Sequence, residues 1–330
     1  MLRCARVMMA VVLLSGLLAH AGEAPIPTFV DVESAGPDYQ VQGEYIGYRL
    51  AGGVRTIIAA QVVATGNGSF YALVQNGGLP GAGWDGQPPA VVKGATQDGV
   101  TTLRGSGAAG YTLTIRDGVM TGRSPQGDEL ELKRVERRSP TLGAKPPPGA
   151  VVLFDGTSAE EWIGGHIELG NALAAGTRSR RSFRNFTAHI EFMTPFVPTA
   201  TGEARGNSGV YLQDRYEIQI VDSFAAERMW MGTCGAIYGQ KLPDVNMCLP
   251  PLVWQTFDFE FETAQFDEQT GQKTRNAIVT VRHNGVVIHN RVEIKDRTGG
   301  GRREGLTGGP FQLQGHGNPV FFRNIWVVEK

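Results

Sequence analysis

Apolar and polar residues alternate most clearly between residues 206 and 221. The apolar positions are Val210, Leu212, Ile218 and Ile220, and the polar positions between them are Tyr211, Gln213, Glu217 and Gln219. A period of two residues predicts two strands with one buried face and one polar face. Burial favours pairing of Leu212 with Ile218 across a three-residue loop, because a two-residue loop would mix the faces. The sequence therefore predicts a hairpin whose loop is residues 214–216.

The polar face of this hairpin would bring two amides, a carboxyl and a phenol together. In the predicted register Gln213 lies opposite Glu217, and Tyr211 lies opposite Gln219. Sugar sites are commonly built from such groups, since hydroxyls need both donors and acceptors. A solvated outer face of a sandwich is the alternative that the pattern leaves open.

Short alternating stretches predict that the N-terminal part is also β-structure. The predicted strands are residues 39–43, 55–63, 69–75, 99–104, 110–116 and 129–135. Asn67-Gly68 and Asp117-Gly118 are strong turn signals between strands. No long helical period interrupts them, so we expect a small all-β domain, a meander folded into a barrel or a sandwich.

The C-terminal part continues the β pattern. Residues 151–157 are predicted to be a strand and turn, and the other predicted strands outside the hairpin are residues 186–194, 254–262, 276–282, 286–290, 309–314 and 320–329. Together they give about a dozen antiparallel strands, which favours a two-sheet sandwich. Residues 223–251 form a long irregular segment, and such segments inside compact domains are usually functional.

The first residues indicate a secretory signal peptide. Arg3 and Arg6 precede an apolar run over residues 7–18, and Ala19-His20-Ala21 provides a small-residue cleavage site. The run is too short for a spanning helix, although a retained anchor is the alternative. We expect a secreted or periplasmic chain that is not held in the membrane after cleavage.

Length and composition add the domain plan. A chain of 330 residues suggests two domains. The predicted units are a signal peptide (1–21), a small all-β domain (22–138), a Pro-rich linker (139–149) and a β-sandwich domain (150–330). The formal net charge of −1 gives no electrostatic case for a nucleic-acid partner. The expected partner is a small molecule or an oligosaccharide, and the sequence does not indicate an oligomeric state.

Two cysteines remain after removal of the signal peptide, Cys234 and Cys248. A pair in an exported chain favours one disulfide, with two buried free thiols as the alternative. The bridge would close much of the long segment and contribute roughly 3 kcal/mol in chain-entropy models.

Few residues carry evident chemistry. Glu217 is the acid on the polar hairpin face, and Asp222 is either a rim acid or a satisfied buried acid. His316 lies between two glycines, where an imidazole can serve as a general base. Lys241 could bind an oxygen anion or be a plain surface lysine. No closed metal cage is visible, but calcium stays open as a cofactor because it accepts lone Asp, Asn and backbone oxygens.

Several ordered motifs resemble the 3-keto-disaccharide hydrolase domain. They are Leu153–Gly156 with Trp162, Gly206–Gln213, Tyr216–Ser223, Cys234–Tyr238, Val245–Pro251, Gly315–Val320 and Arg323–Trp326. The resemblance implies a concanavalin-like jelly-roll that attacks glycosides already oxidised at sugar carbon 3. Residues 25–138 resemble an accessory β domain that precedes it in some exported relatives.

Such substrates suit the residues at hand. A ketone at C3 acidifies the C2 hydrogen, so one base can start an elimination that expels the C1 substituent, and water can then add back. The candidates for acid and base are Glu217, His316 and Asp222, and those for substrate binding are Asn207, Tyr211, Gln213, Gln219, Tyr238 and Lys241. A non-catalytic sugar-binding module and a conventional glycosidase with paired carboxylates are the alternatives.

Overall fold

The computed structural model describes residues 26–105 and 110–330, so the predicted signal peptide lies outside the described residues. The regular secondary structure of the described chain is almost entirely antiparallel β-sheet, which confirms the predicted fold class. Within these ranges no helix is both long and apolar enough to cross a membrane.

The N-terminal strands form a closed barrel in which every strand pairs with its neighbour in sequence. After a short helix, α1 (Gly36–Val41), the strands are β1 (Gly43–Ala51), β2 (Val54–Gly66), β3 (Ser69–Asn76), β4 (Ala90–Gln97), β5 (Val100–Arg104), β6 (Thr112–Arg116), β7 (Val119–Arg123) and β8 (Glu129–Val135). Alternate residues such as Tyr45, Val62 and Leu113 point into a fully buried core. A meander with period-two burial closes in this way because closure leaves no unpaired edge.

The prediction for the start of the barrel was wrong. Residues 39–41 belong to α1, where Pro37 occupies the first turn and fits its fixed φ. Tyr39 is buried there, with its ring 5.3 Å from that of Phe196 and its hydroxyl donating to the Pro251 carbonyl. This tertiary packing decides the local conformation. The alternation pattern also failed to predict strands β1, β4 and β7.

The C-terminal part is a sandwich of two antiparallel sheets. Its strands are β9 (Val151–Phe154), β10 (Trp162–Ile163), β11 (Ile167–Glu168), β12 (Ala172–Ala174), β13 (Thr177–Phe183), β14 (Phe186–Met193), β15 (Ser208–Leu212), β16 (Tyr216–Ile220), β17 (Gln255–Glu262), β18 (Gln265–Phe266), β19 (Lys273–Arg275), β20 (Ala277–His283), β21 (Val286–Ile294), β22 (Gly309–Leu313) and β23 (Phe321–Glu329). One sheet has the order β10-β13-β22-β15-β16, and the other has β11-β12-β23-β14-β17-β20-β21 with β9 beside β23. A separate small ladder joins β18 and β19.

Phenylalanine rings fill the space between the sheets. Phe186 stacks on Phe261 with ring centroids 5.1 Å apart and meets Phe311 of the opposite sheet at 4.9 Å. All three are at most 1% exposed. Burial of this aromatic layer fixes which face of each strand points inward, and so leaves the other face of the five-stranded sheet for polar groups.

The barrel packs directly on the sandwich. Val63 and Leu73 of the barrel belong to the sandwich core. The Tyr71 hydroxyl donates to the Ala225 carbonyl at 3.1 Å, and Lys93 pairs with Glu227 at 3.0 Å. The two units therefore share buried surface.

The first half of the predicted linker is bound to the outer face of the larger sheet. The Ser139 hydroxyl lies 2.6 Å from that of Thr256, and Thr141 donates to Asp258 at 2.8 Å. The amide of Gly143 donates to Glu191. These contacts cover a polar cluster in which Asp258 also lies 2.6 Å from Nδ1 of His189.

Candidate active site

The polar hairpin exists, but its predicted register is wrong by two residues. Val210 pairs with Ile218, and Leu212 pairs with Tyr216 across a three-residue loop, residues 213–215. Tyr216 is fully buried and takes the place that the prediction gave to Ile218 opposite Leu212. A displacement of two residues keeps every side chain on its predicted face. Tyr211 now lies opposite Glu217.

The polar hairpin face lines a pocket of about 220 Å³. The lining residues are Glu203, Asn207, Tyr211, Glu217, Gln219, Tyr238, Gly299, Gly300, Gln314 and His316. Five predicted site residues besides Glu217 are thus brought together, while Glu203, Gln314 and the two glycines were missed. We call this the hairpin pocket.

Glu217 is the most unusual group in the hairpin pocket. Glu217 is only 2% exposed, and this burial raises the pKa of its carboxyl to about 7. The negative charge of Glu203 raises that pKa further. The side chain lies across Gly209, where a Cβ would come 2.3 Å from Oε1 of Glu217. Gly209 is therefore required for this buried carboxyl to occupy its position.

Tyr211 gives Glu217 a partner in both protonation states. The Tyr211 hydroxyl lies 2.8 Å from Oε2 of Glu217 and 2.6 Å from the carbonyl of Gly299. The carbonyl can only accept, and the phenol has one proton, because burial raises the pKa of Tyr211. When Glu217 is ionised, it accepts a hydrogen bond from the Tyr211 hydroxyl. When Glu217 is protonated, it donates to the phenol oxygen, and the Tyr211 hydroxyl donates to the Gly299 carbonyl instead. The site can thus hold or release one proton near neutral pH.

Glu203 supplies a second carboxyl. It lies on the 3-10 turn Gly202–Ala204 and accepts from the Tyr238 hydroxyl at 3.1 Å. A Cβ on Gly232 would come 2.5 Å from its Oε1, so the backbone there is also shaped around it. No strand pattern marks Glu203, because it follows an irregular loop, and the sequence offered no signal for it.

Amide groups complete the floor of the hairpin pocket. Nε2 of Gln219 faces Oδ1 of Asn207 at 3.4 Å. Oε1 of Gln219 and Oε1 of Gln314 are buried and have no hydrogen-bond partner among the described residues. Buried acceptors without donors are rare, and ligand hydroxyls would satisfy both.

The long irregular segment reaches the pocket as an added edge of the sheet. Gly235 donates to the carbonyl of Gln219 at 2.8 Å, and Tyr238 donates to that of Glu217 at 3.1 Å. This pairing continues the ladder beyond β16 and places the Tyr238 ring beside Glu203. The predicted functional segment therefore contributes one aromatic side chain.

His316 lies on an exposed turn at the pocket. The turn is fastened by Asn318, whose Oδ1 accepts from the amide of Gly206 at 2.8 Å and whose Nδ2 donates to the His316 carbonyl at 3.3 Å. Gly317 has φ +77°, a conformation that favours glycine. The turn is thus fixed at the pocket that Glu203 and Glu217 also line, and His316 stays exposed there.

Three predicted site residues do not line the hairpin pocket. Gln213 lies in the hairpin loop and donates to the Phe183 carbonyl at 2.8 Å. Asp222 is fully buried against the guanidinium of Arg205, with Oδ2 2.6 Å from Nη2. These contacts satisfy both side chains within the fold.

The third of these residues is Lys241. Its ammonium pairs with Asp244 at 2.6 Å. Asp244 belongs to the same irregular segment as Lys241. This ion pair lies at the protein surface, outside the hairpin pocket.

Cys234 and Cys248 are buried free thiols, which differs from the expected disulfide. Burial and the neighbouring Cys248 thiol raise the pKa of Cys234, so the two side chains interact. Sγ of Cys248 also contacts the Leu249 carbonyl at 3.4 Å. The bridge stays a prediction. Among the described residues, no three His, Cys, Asp or Glu side chains are grouped so that they could hold a metal ion.

The solved structures that match the chain include one with a TM-score above 0.5. It is a candidate glycosyl hydrolase from Parabacteroides distasonis, with 31% identity and a TM-score of 0.51, covering 56% of this chain and 85% of that protein.

Two more candidate glycosyl hydrolases of that organism match less well. They have 16% and 20% identity and TM-scores of 0.40 and 0.38, with 55% of this chain covered in each case and 94% and 99% of theirs. These low scores support no functional conclusion. No curated protein matches the chain.

The profile of one domain family matches residues 149–328, which is more than half of the chain. The match covers the sandwich except for Glu329, the last residue of β23, and it includes the hairpin, the Gly-His-Gly turn and every residue that lines the hairpin pocket. The chain therefore belongs to the family of proteins with a 3-keto-alpha-glucoside-1,2-lyase-like domain.

Proposed function

We propose that this protein is an exported carbohydrate-active enzyme that cleaves 3-keto-glycosides by elimination at C1–C2. The observation that carries the proposal is the buried Glu217, whose pKa of about 7 and two-way contact with Tyr211 suit a group that takes and returns a proton. A sugar-binding module needs no such group, because neutral donors and acceptors suffice for hydroxyls. The family to which the chain belongs supports a carbohydrate substrate.

The proposed reaction begins at C2. The Glu217 carboxylate takes the C2 proton, and the electron pair of that bond moves into the C3 ketone to give an enolate. When the enolate collapses, a C1–C2 double bond forms, the C3 ketone returns, and the bond between C1 and the glycosidic oxygen breaks. The departing oxygen takes a proton from Glu203 or His316, which both line the same pocket.

Water can then complete a net hydrolysis. Addition of water to C1 of the unsaturated ketone, with return of a proton to C2, gives the free 3-keto sugar. The amides of Asn207 and Gln314 are donors in the pocket that could hold the enolate oxygen. Asp222 and Lys241 have no part in the scheme, since neither lines the hairpin pocket.

A second function is favoured by one observation, the pair of carboxyls. Glu203 and Glu217 lie in one pocket, and their different surroundings resemble the acid and nucleophile or base of ordinary glycosidases. Such an enzyme would act on sugars that carry no ketone. The substrate therefore separates the two functions.

The test is a direct comparison of substrates. Purified protein is incubated with a 3-keto-disaccharide and with its unoxidised parent, each with and without a chelator, and released sugars are quantified. The proposal expects cleavage of the keto sugar alone, and loss of that activity in Glu217→Gln but not in the exposed control Glu329→Gln. Equal cleavage of both sugars would favour the ordinary glycosidase, and no cleavage of either would favour a binding module.

A further inference from the structure

A second cleft of about 200 Å³ lies between the barrel and the sandwich and shares no residue with the hairpin pocket. The barrel side includes Gln61, Leu73, Gln75, Pro80, Trp84 and Pro89, and the sandwich side includes Ala225–Met229 and Asp244–Asn246. We call it the interdomain cleft. Both units must be present to form it.

Trp84 enters this cleft from a fixed glycine-rich loop. The amides of Ala82 and Trp84 both donate to the Leu79 carbonyl, at 2.8 and 3.3 Å. Gly81 packs so closely on the sandwich that a Cβ would lie 2.8 Å from Sδ of Met247. The indole N–H is already used, because it donates to the Gln87 carbonyl at 3.1 Å. Trp84 therefore offers the cleft an apolar ring.

A chain of polar side chains leads to the floor of the cleft. Arg137 contacts both carboxylate oxygens of Glu44 at 2.6 Å. Nε2 of Gln61 donates to Oε1 of Glu44 at 3.0 Å, and Nε2 of Gln75 donates to Oε1 of Gln61 at 3.2 Å.

The direction of this chain is fixed by its first member. A guanidinium only donates, and the carboxylate that it holds only accepts, so Gln61 must turn its NH2 group to Glu44. Its carbonyl oxygen then faces Gln75, which must in turn present its own NH2 group. Oε1 of Gln75 is thereby directed away from the chain, and it is buried without a partner among the described residues. Gln75 itself is 4% exposed.

We infer that the interdomain cleft binds one ring of a neutral saccharide. A free acceptor in a buried floor requires a donor, which a sugar hydroxyl supplies, and an apolar indole wall suits the carbon face of the ring. The volume fits one ring, since cavities of roughly 150 Å³ take up benzene. The nearby acids Glu227 and Asp244 are already paired with Lys93 and Lys241, which leaves no uncompensated acid to favour a cationic ligand.

The test uses the full mature chain carrying Glu217→Gln, so that bound sugar is not turned over. Methyl α-D-glucopyranoside and its galacto and manno isomers are titrated by calorimetry, and hydrogen exchange locates each bound sugar. We expect protection of residues 79–89 and 225–229 by at least one isomer. Gln75→Leu should weaken that binding about three- to tenfold, and Trp84→Ala about tenfold.

Two controls keep the result decisive. Tyr238→Ala, in the hairpin pocket, should leave protection of residues 79–89 unchanged. Trp84→Phe retains an aromatic ring if the alanine variant fails to fold, and should weaken binding less than Gln75→Leu. Absence of protection with all three isomers, or equal affinity in the parent and the Gln75→Leu and Trp84→Phe variants, would overturn the inference.

Discussion

Replacement of Glu217 by glutamine should make the protein more stable above neutral pH while removing its activity. The folded-state pKa of Glu217 is about 7, against its usual value of 4.5. Between these pH values the folded state holds a proton that the unfolded state has released, so the free energy of unfolding falls as pH rises. The fall begins near pH 4.5 and is complete above pH 7.

The size of this effect follows from the shift in pKa. One unit corresponds to about 1.4 kcal/mol, so a rise of this extent costs the folded protein about 3 kcal/mol at pH 8. Glu217→Gln cannot ionise and escapes the cost. The free energy of unfolding of Glu217→Gln, relative to that of the parent, should therefore be about 3 kcal/mol more favourable at pH 8 than at pH 4. At pH 4 the Glu217 carboxyl of the parent is mostly protonated in both the folded and the unfolded state.

Urea unfolding at pH 4 and pH 8 measures the difference directly, provided that the slope with urea is unchanged. The exposed control Glu329→Gln should differ from the parent by a few tenths of a kcal/mol at most at either pH. Turnover of a 3-keto-glycoside by Glu217→Gln should fall by about 10²–10⁴. If the stability difference between Glu217→Gln and the parent is the same at pH 4 and pH 8, Glu217 is not a buried carboxyl with a raised pKa.

Three further predictions concern the surroundings of this carboxyl and the cysteines. Gly209→Ala should displace Glu217 and lower kcat at least tenfold. The control Gly305→Ala, where a Cβ meets no atom within 4 Å, should change kcat less than twofold. Equal kcat values for these two variants would contradict the packing argument. In the parent protein the hydrogen bond from Tyr211 lowers the pKa of Glu217. Its loss in Tyr211→Phe should raise that pKa and move the acid limb of the pH–rate profile to higher pH; an unmoved limb would oppose this role. The structure holds Cys234 and Cys248 as free thiols, but an oxidising compartment favours a bridge between them; protein isolated from such a compartment and unfolded without reductant should show no free thiol by titration, and two free thiols would exclude the bridge.

The alternation of residues predicted the two faces of the hairpin but could not define its register. Pairing Leu212 with Ile218 or with Tyr216 buries apolar surface in either case, since both choices preserve a period of two. The choice depends on the whole core, in which the Tyr216 ring packs 5.6 Å from that of Phe261. Local sequence does not contain that contact.

The sequence could predict the candidate site where reactive side chains fall on the periodic pattern of the two hairpin strands, β15 and β16. Glu217 and Tyr211 were found because their positions on the polar face follow from parity alone. Glu203 was missed because a loop residue has no periodicity that would direct it into a pocket. Asp222 was misplaced because its partner, Arg205, is supplied by another loop, and only the folded chain shows that this pair is satisfied.

The fate of the C2 hydrogen tests the elimination mechanism most directly. A 3-keto-disaccharide is cleaved in D2O, and the released sugar is analysed by mass spectrometry at early times, with uncatalysed exchange of the product subtracted. Elimination and hydration predict one deuterium at C2 of the released sugar, gained at the rate of cleavage, wherever the proton on Glu217 exchanges with solvent before it returns; where Glu217 returns the same proton, they predict slower cleavage of the 2-deuterated substrate instead. Cleavage that leaves the original hydrogen at C2, and that is equally fast with the 2-deuterated substrate, would contradict proton abstraction and the role given to Glu217.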